Sequence, residues 1–382
     1  LAGNERNGSR RGIGTIAIHE GDSDSEIIQP IYQTSIFKHP NGKQIRGRDL
    51  KYSREDNPTV HLLEKKVAAL EGGEDGLALS SGMAAISTLL LGLLAKGDEL
   101  LISKEIYGAT LILARSLEKF GIRTRCVLND DLPRAVTAET RAVLCESITN
   151  PTLKVTDIRG LATACEEHGA ILVIDNTFAT PINFRPLEWG ADYVVHSATK
   201  YLGGHNDVTA GTIVGPAEGI SRMWEWRRNL GGSLDPFAAY LVIRGLKTLR
   251  LRVEDQNRKT QKVAEFLEDH RRVVKVYYPG LRTSAYASAA QFMKGFGGVV
   301  SFELPDSTAV SRFLSSLDLV KTAPSLGGTE TLITHPASSS HKNISLEERR
   351  EMEISDGLVR LSVGLEDLDD IIADLERGLA CL

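Results

Sequence analysis

From residue 76 to residue 197, short apolar runs alternate with longer stretches of helical period, and this alternation restricts the fold more than any other feature of the 382-residue chain. GLALSS, DELLIS, RTRCVL, TRAVLCES, ILVID and DYVVHS read as strands, while MAAISTLLLGLLAKG, ATLILARSLEKFG and DIRGLATACEEHG read as helices closed by glycine. Strands alternating with helices predict an α/β fold with a mostly parallel central sheet and helices on both faces. Ligands of such sheets gather outside the carboxyl ends of the strands. Those ends are polar here: SSGM, YGAT, ESITNP, DNTF and SATK form one candidate site.

Past about residue 250 the texture changes. A long charged helix, TLRLRVEDQNRKTQKVAEFLEDH, leads to strand-like VVKVYY and GGVVSFEL, a Ser/Gly/His-rich segment at 325–341, a strand LVRLSVG and a closing helix from Asp367. The expected organisation is a tail and arm at 1–55, a large domain at 56–250 and a smaller α+β domain at 251–382.

A formal charge of -5 and a pI near 6.1 give no basic field for a polyanion, so small-molecule chemistry is favoured over nucleic-acid binding. The longest apolar stretch, 83–95, is too short to span a bilayer. Cys126, Cys145, Cys165 and Cys381 are scattered without a CxxC pair, so neither a zinc site nor a disulfide framework is expected, and a reducing cytosol fits. Cys145, within AVLCES, reads as a small buried hydrophobe. The opening LAGNERNGSRRG lacks an initiator methionine, which suggests a truncated or processed start, and its composition predicts a mobile tail.

Asp175 ends an apolar strand, where a carboxylate must be paired, hydrogen-bonded or protonated. A turn or helix cap would satisfy it, and so would a cationic ligand nitrogen. SSGM turns a strand into a helix, so the amides of Gly82 and Met83 face the sheet edge and suit a phosphate. Ser197 and Thr199, two apart, would add hydroxyls from one side of an extended segment. Lys200 follows them, and Tyr107 lies in a loop nearby. A cofactor with a phosphate, a protonatable ring nitrogen and an aldehyde uses all of these groups, and pyridoxal 5'-phosphate has those three handles. Lys200 would form its Schiff base, Asp175 would keep the ring protonated, and an aromatic would stack on it. Neither GxxxxGK[ST] nor GxGxxG after a strand is present, which disfavours a nucleotide-binding oxidoreductase. HExxH is absent, and His205 with Asp207 lacks a third ligand, so no metal site is expected.

The ordered set QPIYQTSIF, YSREDNPT, SSGMAAI, ESITNP, VIDNTF, SATKYLGGHND, SLGGTETLITHPA and LVRLSVGLED resembles the Cys/Met-metabolism group of pyridoxal-phosphate enzymes over nearly the whole chain. That group includes cystathionine γ-synthase, cystathionine γ-lyase and methionine γ-lyase. The resemblance implies the fold type I architecture, Lys200 as cofactor anchor, Asp175 on the ring nitrogen, and Gly82, Met83, Ser197 and Thr199 on the phosphate. It further implies Tyr107 stacked on the ring, Arg360 with Ser325 and Asn150 on the substrate carboxylate, and a homotetramer built from dimers in which Tyr52 and Arg54 cross to a neighbouring phosphate. Arg360 in an apolar strand is costly unless a carboxylate answers it, with a structural salt bridge as the alternative. Tyr52 and Arg54 flank Ser53, and an extended arm would point both the same way.

The implied reaction is γ-elimination or γ-replacement on a sulfur-containing or O-acylated homoserine-type amino acid. Cystathionine γ-synthase or γ-lyase activity in transsulfuration is the leading expectation, and methionine γ-lyase is its rival. Ala109 replaces the cysteine usual in methionine γ-lyases, and Pro324 replaces the glutamate usual in cystathionine enzymes. A noncatalytic relative would be expected to lack Lys200 or Asp175, and both are present. His205, Asn206 and Asp207 receive no mechanistic role.

Overall fold

The computed structural model describes residues 11–382 except residues 24, 340, 341 and 343, so the expected mobile tail falls almost wholly outside the described residues. Seven strands form the large sheet: β1 (Asp75–Leu79), β2 (Glu99–Ser103), β3 (Arg123–Val127), β4 (Thr140–Glu146), β5 (Ile171–Asp175), β6 (Tyr193–Ser197) and β7 (Gly211–Gly215). Their spatial order is β1-β7-β6-β5-β4-β2-β3, with β2 to β6 parallel and β7 antiparallel to both neighbours. Each strand expected in this region is present. β7 was not expected, because GTIVG is short and bounded by glycine. Close approach explains those glycines: a Cβ on Gly211 would sit 2.1 Å from the Ser81 carbonyl oxygen, and one on Gly215 would sit 2.5 Å from the Tyr193 ring.

Helices cover both faces: α1 (Pro58–Glu71), α2 (Gly82–Leu93), α3 (Gly108–Ser116), α4 (Ile158–His168), α5 (Ala217–Leu230) and α6 (Pro236–Leu246). Strand alternation divides the core. Leu100 and Ile102 of β2 belong to one core cluster with Leu89 of α2 and Met223 of α5, whereas Leu101 belongs to the other, with Leu161 of α4 and Val67 of α1. Full burial of each such side chain stabilises by about 1.5–3 kcal/mol. Polar caps set the helix starts, with Asn57, Ser81 and Asp157 accepting first-turn amides, and Gly72 and Gly169 close α1 and α4 at φ 79° and 69°.

The long charged helix is α7 (Leu249–Asp269). After it come β8 (Lys275–Tyr277), β9 (Val299–Glu303), α8 (Ser307–Ser315), β10 (Lys321–Thr322), β11 (Leu332–Thr334), β12 (Leu358–Ser362) and α9 (Leu368–Ala380), the last preceded by Asp367. The small sheet runs β8-β9-β12-β11-β10, antiparallel except between β10 and β11. Its central strand β12 carries Arg360. Ser301 of β9 donates to the Pro151 carbonyl at 2.6 Å, which holds the small sheet against the carboxyl end of β4. Among the described residues no helix is long and apolar enough to cross a membrane.

Candidate active site

Lys200 sits in a turn just past β6. Its N–H donates to the Ser197 carbonyl at 3.1 Å, and its own carbonyl accepts from Gly204 at 2.7 Å. The side chain reaches across to the small sheet, where Nζ donates to Ser325 Oγ at 2.8 Å. No carboxylate pairs with the ammonium among the described residues. Burial, reinforced by the positive Arg360, pulls the Lys200 pKa down to about 8.

Arg360 is 6% exposed. Its two terminal nitrogens donate to Asn150 Oδ1 at 2.9 Å and to the Ser325 carbonyl at 3.0 Å, and its Nε is buried without a partner. Among the described residues it forms no ion pair, which removes the structural salt-bridge alternative. Burial lowers its pKa to about 10. Ser325 therefore joins the two cations, its hydroxyl on Lys200 and its carbonyl on Arg360. It does so at φ 95°, a conformation costing a non-glycine residue on the order of 1–3 kcal/mol.

Asp175 ends β5, buried, with Oδ1 accepting from the Thr177 N–H at 3.0 Å and its hydroxyl at 2.5 Å. Burial raises its pKa, and the Thr177 bonds and His196 oppose the rise only in part. Thr177 also accepts the Ser197 N–H at 2.8 Å, locking the ends of β5 and β6 together. His196 turns to the opposite face and pairs with buried Glu71 at 2.6 Å.

Gly82 opens α2 directly against Ser197. A Cβ on Gly82 would lie 2.9 Å from the Ser197 Cβ, so only glycine leaves this space open. Ser81 accepts the Ala84 N–H, and the amides of Gly82 and Met83, first in the helix, have no intrahelical acceptor. The Met83 sulfur accepts from the Thr110 hydroxyl at 3.7 Å. Thr199 corrects the expectation of an extended SAT segment. It lies in the turn after β6, where its hydroxyl donates to the Ala210 carbonyl at 3.2 Å and accepts the Ala210 N–H at 3.1 Å.

Tyr107 stands before α3, 45% exposed, with its N–H on Glu146 Oε1 at 2.9 Å. Tyr52 and Arg54 are also differently placed than expected. Tyr52 makes an isolated bridge to Ile36 and Arg54 sits in the following turn, yet the guanidinium still lies 5.4 Å from the Tyr52 ring. Arg54 donates to the Arg228 carbonyl at 2.6 Å, and neither side chain hydrogen-bonds the Lys200 cluster of its own chain. A cleft of about 790 Å³, lined by Thr199, His205, Asp207, Pro324, Ser325 and Glu330, opens beside Lys200.

Glu146 and Thr177 line the site and were not singled out in the sequence, and Asn206 was named there without a role. Glu146 opens ESITNP and Thr177 lies within DNTF, so the polar strand ends were their signal. Asn206, at φ 56°, donates to Glu330 Oε2 at 2.7 Å and so ties the Lys200 loop to the Ser325 loop. Gly204 (φ 72°) lets the Arg252 guanidinium pack against the same loop.

The donor set fits pyridoxal phosphate. Gly82 and Ser197 form a cradle that a Cβ would fill, Asp175 is a buried acid without a paired cation, and Lys200 is a desolvated amine. The comparisons with known proteins agree. An L-methionine γ-lyase of Pseudomonas putida is 44% identical over 96% of this chain and 97% of its own length. A cystathionine β-lyase of Lactococcus lactis subsp. cremoris (strain MG1363) is 43% identical over 96% and 98%. The crystal structure of cystathionine γ-synthase from Xanthomonas oryzae pv. oryzae in complex with cystathionine superposes with a TM-score of 0.92, 38% identity and coverage of 98% and 99%. The family model described as Cys/Met metabolism PLP-dependent enzyme matches residues 14–380, and the chain belongs to that family of pyridoxal-phosphate-dependent enzymes.

Proposed function

We propose that the protein catalyses γ-elimination or γ-replacement on sulfur-containing or O-acylated homoserine-type amino acids, with cystathionine γ-lyase or γ-synthase activity as the leading reading. The observation that carries it is Arg360, a buried guanidinium with no carboxylate of its own, linked to Lys200 through Ser325. An amino-acid carboxylate seated on Arg360 would place its amine and Cα toward Lys200.

Pyridoxal phosphate, when bound, supplies a ring that accepts the electron pair released at Cα. Gly82, Met83, Ser197 and Thr199 would hold its phosphate, with Tyr52 and Arg54 contributed from a neighbouring subunit. Thr199 would have to share its hydroxyl with Ala210. Asp175 would keep a proton on the ring nitrogen, and Tyr107 would cover the ring face. Arg360 and Asn150 orient the substrate. The Lys200 amine, with its lowered pKa, takes a proton from Cα and returns one at the neighbouring carbons, and Ser325 keeps it aimed.

For the far end of the substrate, the cleft offers Asp207 and Glu330 to an ammonium and Lys321 to a carboxylate, which suits the zwitterionic end of cystathionine. A second reading, methionine γ-lyase, is supported by Ala323, Pro324 and Leu332 on the same wall, which suit an uncharged thioether. The three-part division at residues 55 and 250 is supported by the two separate sheets and by α7 beginning at Leu249. A homotetramer is supported by the exposed apolar arm residues Ile27, Ile28 and Ile36, and a reducing cytosolic setting by four cysteines without a disulfide.

Lys200→Ala is expected to lose both the visible absorption of the covalently bound cofactor and at least about a thousandfold in turnover. Retention of both would sink the proposal. The branch is decided by kcat/KM for cystathionine, for methionine, and for O-acylhomoserine with cysteine. Turnover of none of them would refute a γ-type reaction.

A further inference from the structure

Glu146 ends β4 inside the wall of the active site, 5% exposed, with Asp175 across the ladder on β5. Its Oε1 accepts the Tyr107 N–H at 2.9 Å, and its Oε2 is buried without a partner. The Asn150 backbone amide favours its ionised form. Among the described residues no Lys, Arg or His pairs with it. We infer that Glu146 is a positioning residue of this site: it seats Tyr107, and it gates Arg360, leaving that guanidinium open to a carboxylate ligand only while Glu146 holds its proton.

The physical case begins with the surroundings. Asp175 on β5 opposes a second negative charge, Arg360 on β12 favours one, the Tyr107 and Asn150 amides give modest help, and Cys145 on the same strand is a buried thiol pushed up in its own pKa. Burial dominates and holds Glu146 neutral well above the usual carboxylate range. Neutral Glu146 still accepts the Tyr107 N–H, so the start of α3 stays fixed over the site. Once ionised it becomes a buried anion whose available counter-charge is Arg360, the group that must meet the substrate. The two orphaned atoms, Glu146 Oε2 and Arg360 Nε, are what such a gate leaves unpaired in its open state.

This inference rests on Arg360 as the carboxylate seat, and the experiment separates the two. Infrared difference spectra of wild type minus Glu146→Gln, recorded on cofactor-free protein and on holoenzyme, should show a protonated carboxyl stretch at neutral pH that fades at alkaline pH. In the holoenzyme, wild-type KM should rise by about tenfold per pH unit once Glu146 ionises. In E146Q, whose amide oxygen still accepts from Tyr107, that rise should vanish while kcat at neutral pH is retained. Glu146→Ala, lacking the acceptor, should lose about a hundredfold in kcat/KM at every pH. Absence of the infrared band, identical KM profiles for wild type and E146Q, or full activity in E146A would each overturn the gate. If Arg360→Met left KM unchanged while the band persisted, the carboxylate seat would be wrong and the gating role would fall with it.

Discussion

Two buried clusters of charge are built in opposite ways. Around Glu64 the charges are matched: Arg46 reaches Glu64 at 2.9 Å and Asp75 at 2.7 Å, Arg227 reaches Glu64 at 2.7 Å, and Asp56 lies 3.6 Å from Arg227. Around Lys200 they are not. Lys200, Arg360, Asp175 and Glu146 are all buried or half-buried, and none of them is in an ion pair with another charged side chain among the described residues, apart from the pull of His196 on Asp175. The first cluster fastens the arm, through Arg46, onto α1 and β1, and Asp56, just past the arm, onto α5. In the second, the fold holds charges apart without protein partners, as the proposed cofactor and substrate would require. Matched charge marks a joint, and buried unmatched charge marks a binding site.

The largest effect that would test this contrast is at the joint. Burial alone would raise the Glu64 pKa, but Arg46 and Arg227 outweigh it and hold the carboxyl well below its ordinary 4.5. Glu64→Gln removes the anion that both guanidiniums share, leaving Arg46 with Asp75 and Arg227 with Asp56 at 3.6 Å, and should cost up to about 3–5 kcal/mol. The sign with pH follows. A depressed folded pKa adds stability that is present above the unfolded value and is lost as pH falls below it, so wild type should weaken on the acid side of pH 4.5 more steeply than E64Q. Thermal melts of both proteins between pH 3 and 7 check it, and parallel curves would remove Glu64 as the fastening point.

The site should answer in the opposite sense. Arg360→Met removes a buried cation that has no protein carboxylate, so the cofactor-free protein should be no less stable than wild type, while KM for an amino-acid substrate should rise by about a hundredfold. A variant that lost stability and bound substrate normally would turn Arg360 into a second joint and erase the distinction.

How far the sequence revealed this follows from the same physics. The succession of strands β1 to β6 along the chain, and the placing of Lys200 and Asp175 at strand ends, were legible because apolar runs announce buried strands and a charge just after one is conspicuous. Arg360 was legible for the same reason, lying inside LVRLS. β7 was not, since GTIVG offers five residues bounded by glycines whose purpose, contact with Ser81 and Tyr193, is a tertiary one. Helices α5 and α6 also went unassigned. The extended backbone expected at Thr199 and Arg54 does not hold because both lie in turns, where the two-residue period of a strand no longer applies, although Arg54 still lies over the Tyr52 ring. Glu146 was hidden within ESITNP, its role depending on Tyr107 and Arg360, which are remote in sequence and meet it only in the folded chain.

The smallest effect is the most direct measure of the unmatched charge, because it reads Lys200 alone. Burial and Arg360 together bring its pKa from 10.5 to about 8. Its neutral amine, the form that attacks an aldehyde, is therefore abundant above pH 8, whereas an exposed lysine would need a pH above 10. The rate of pyridoxal-phosphate uptake by cofactor-free protein should climb with pH around a midpoint near 8. In Arg360→Met one of the two causes is gone, so the midpoint should move upward, by about a pH unit or less because burial is the larger cause. The same shift fixes a stability trend. Between 8 and 10.5 the unfolded chain binds the proton that the folded lysine has released, so the cofactor-free protein should gain stability as pH rises through that window, and Lys200→Met should abolish this contribution. An uptake midpoint near 10 in wild type would mean that the Lys200 amine is solvated or paired, and the contrast between the two clusters would then rest on Arg360, Asp175 and Glu146 alone.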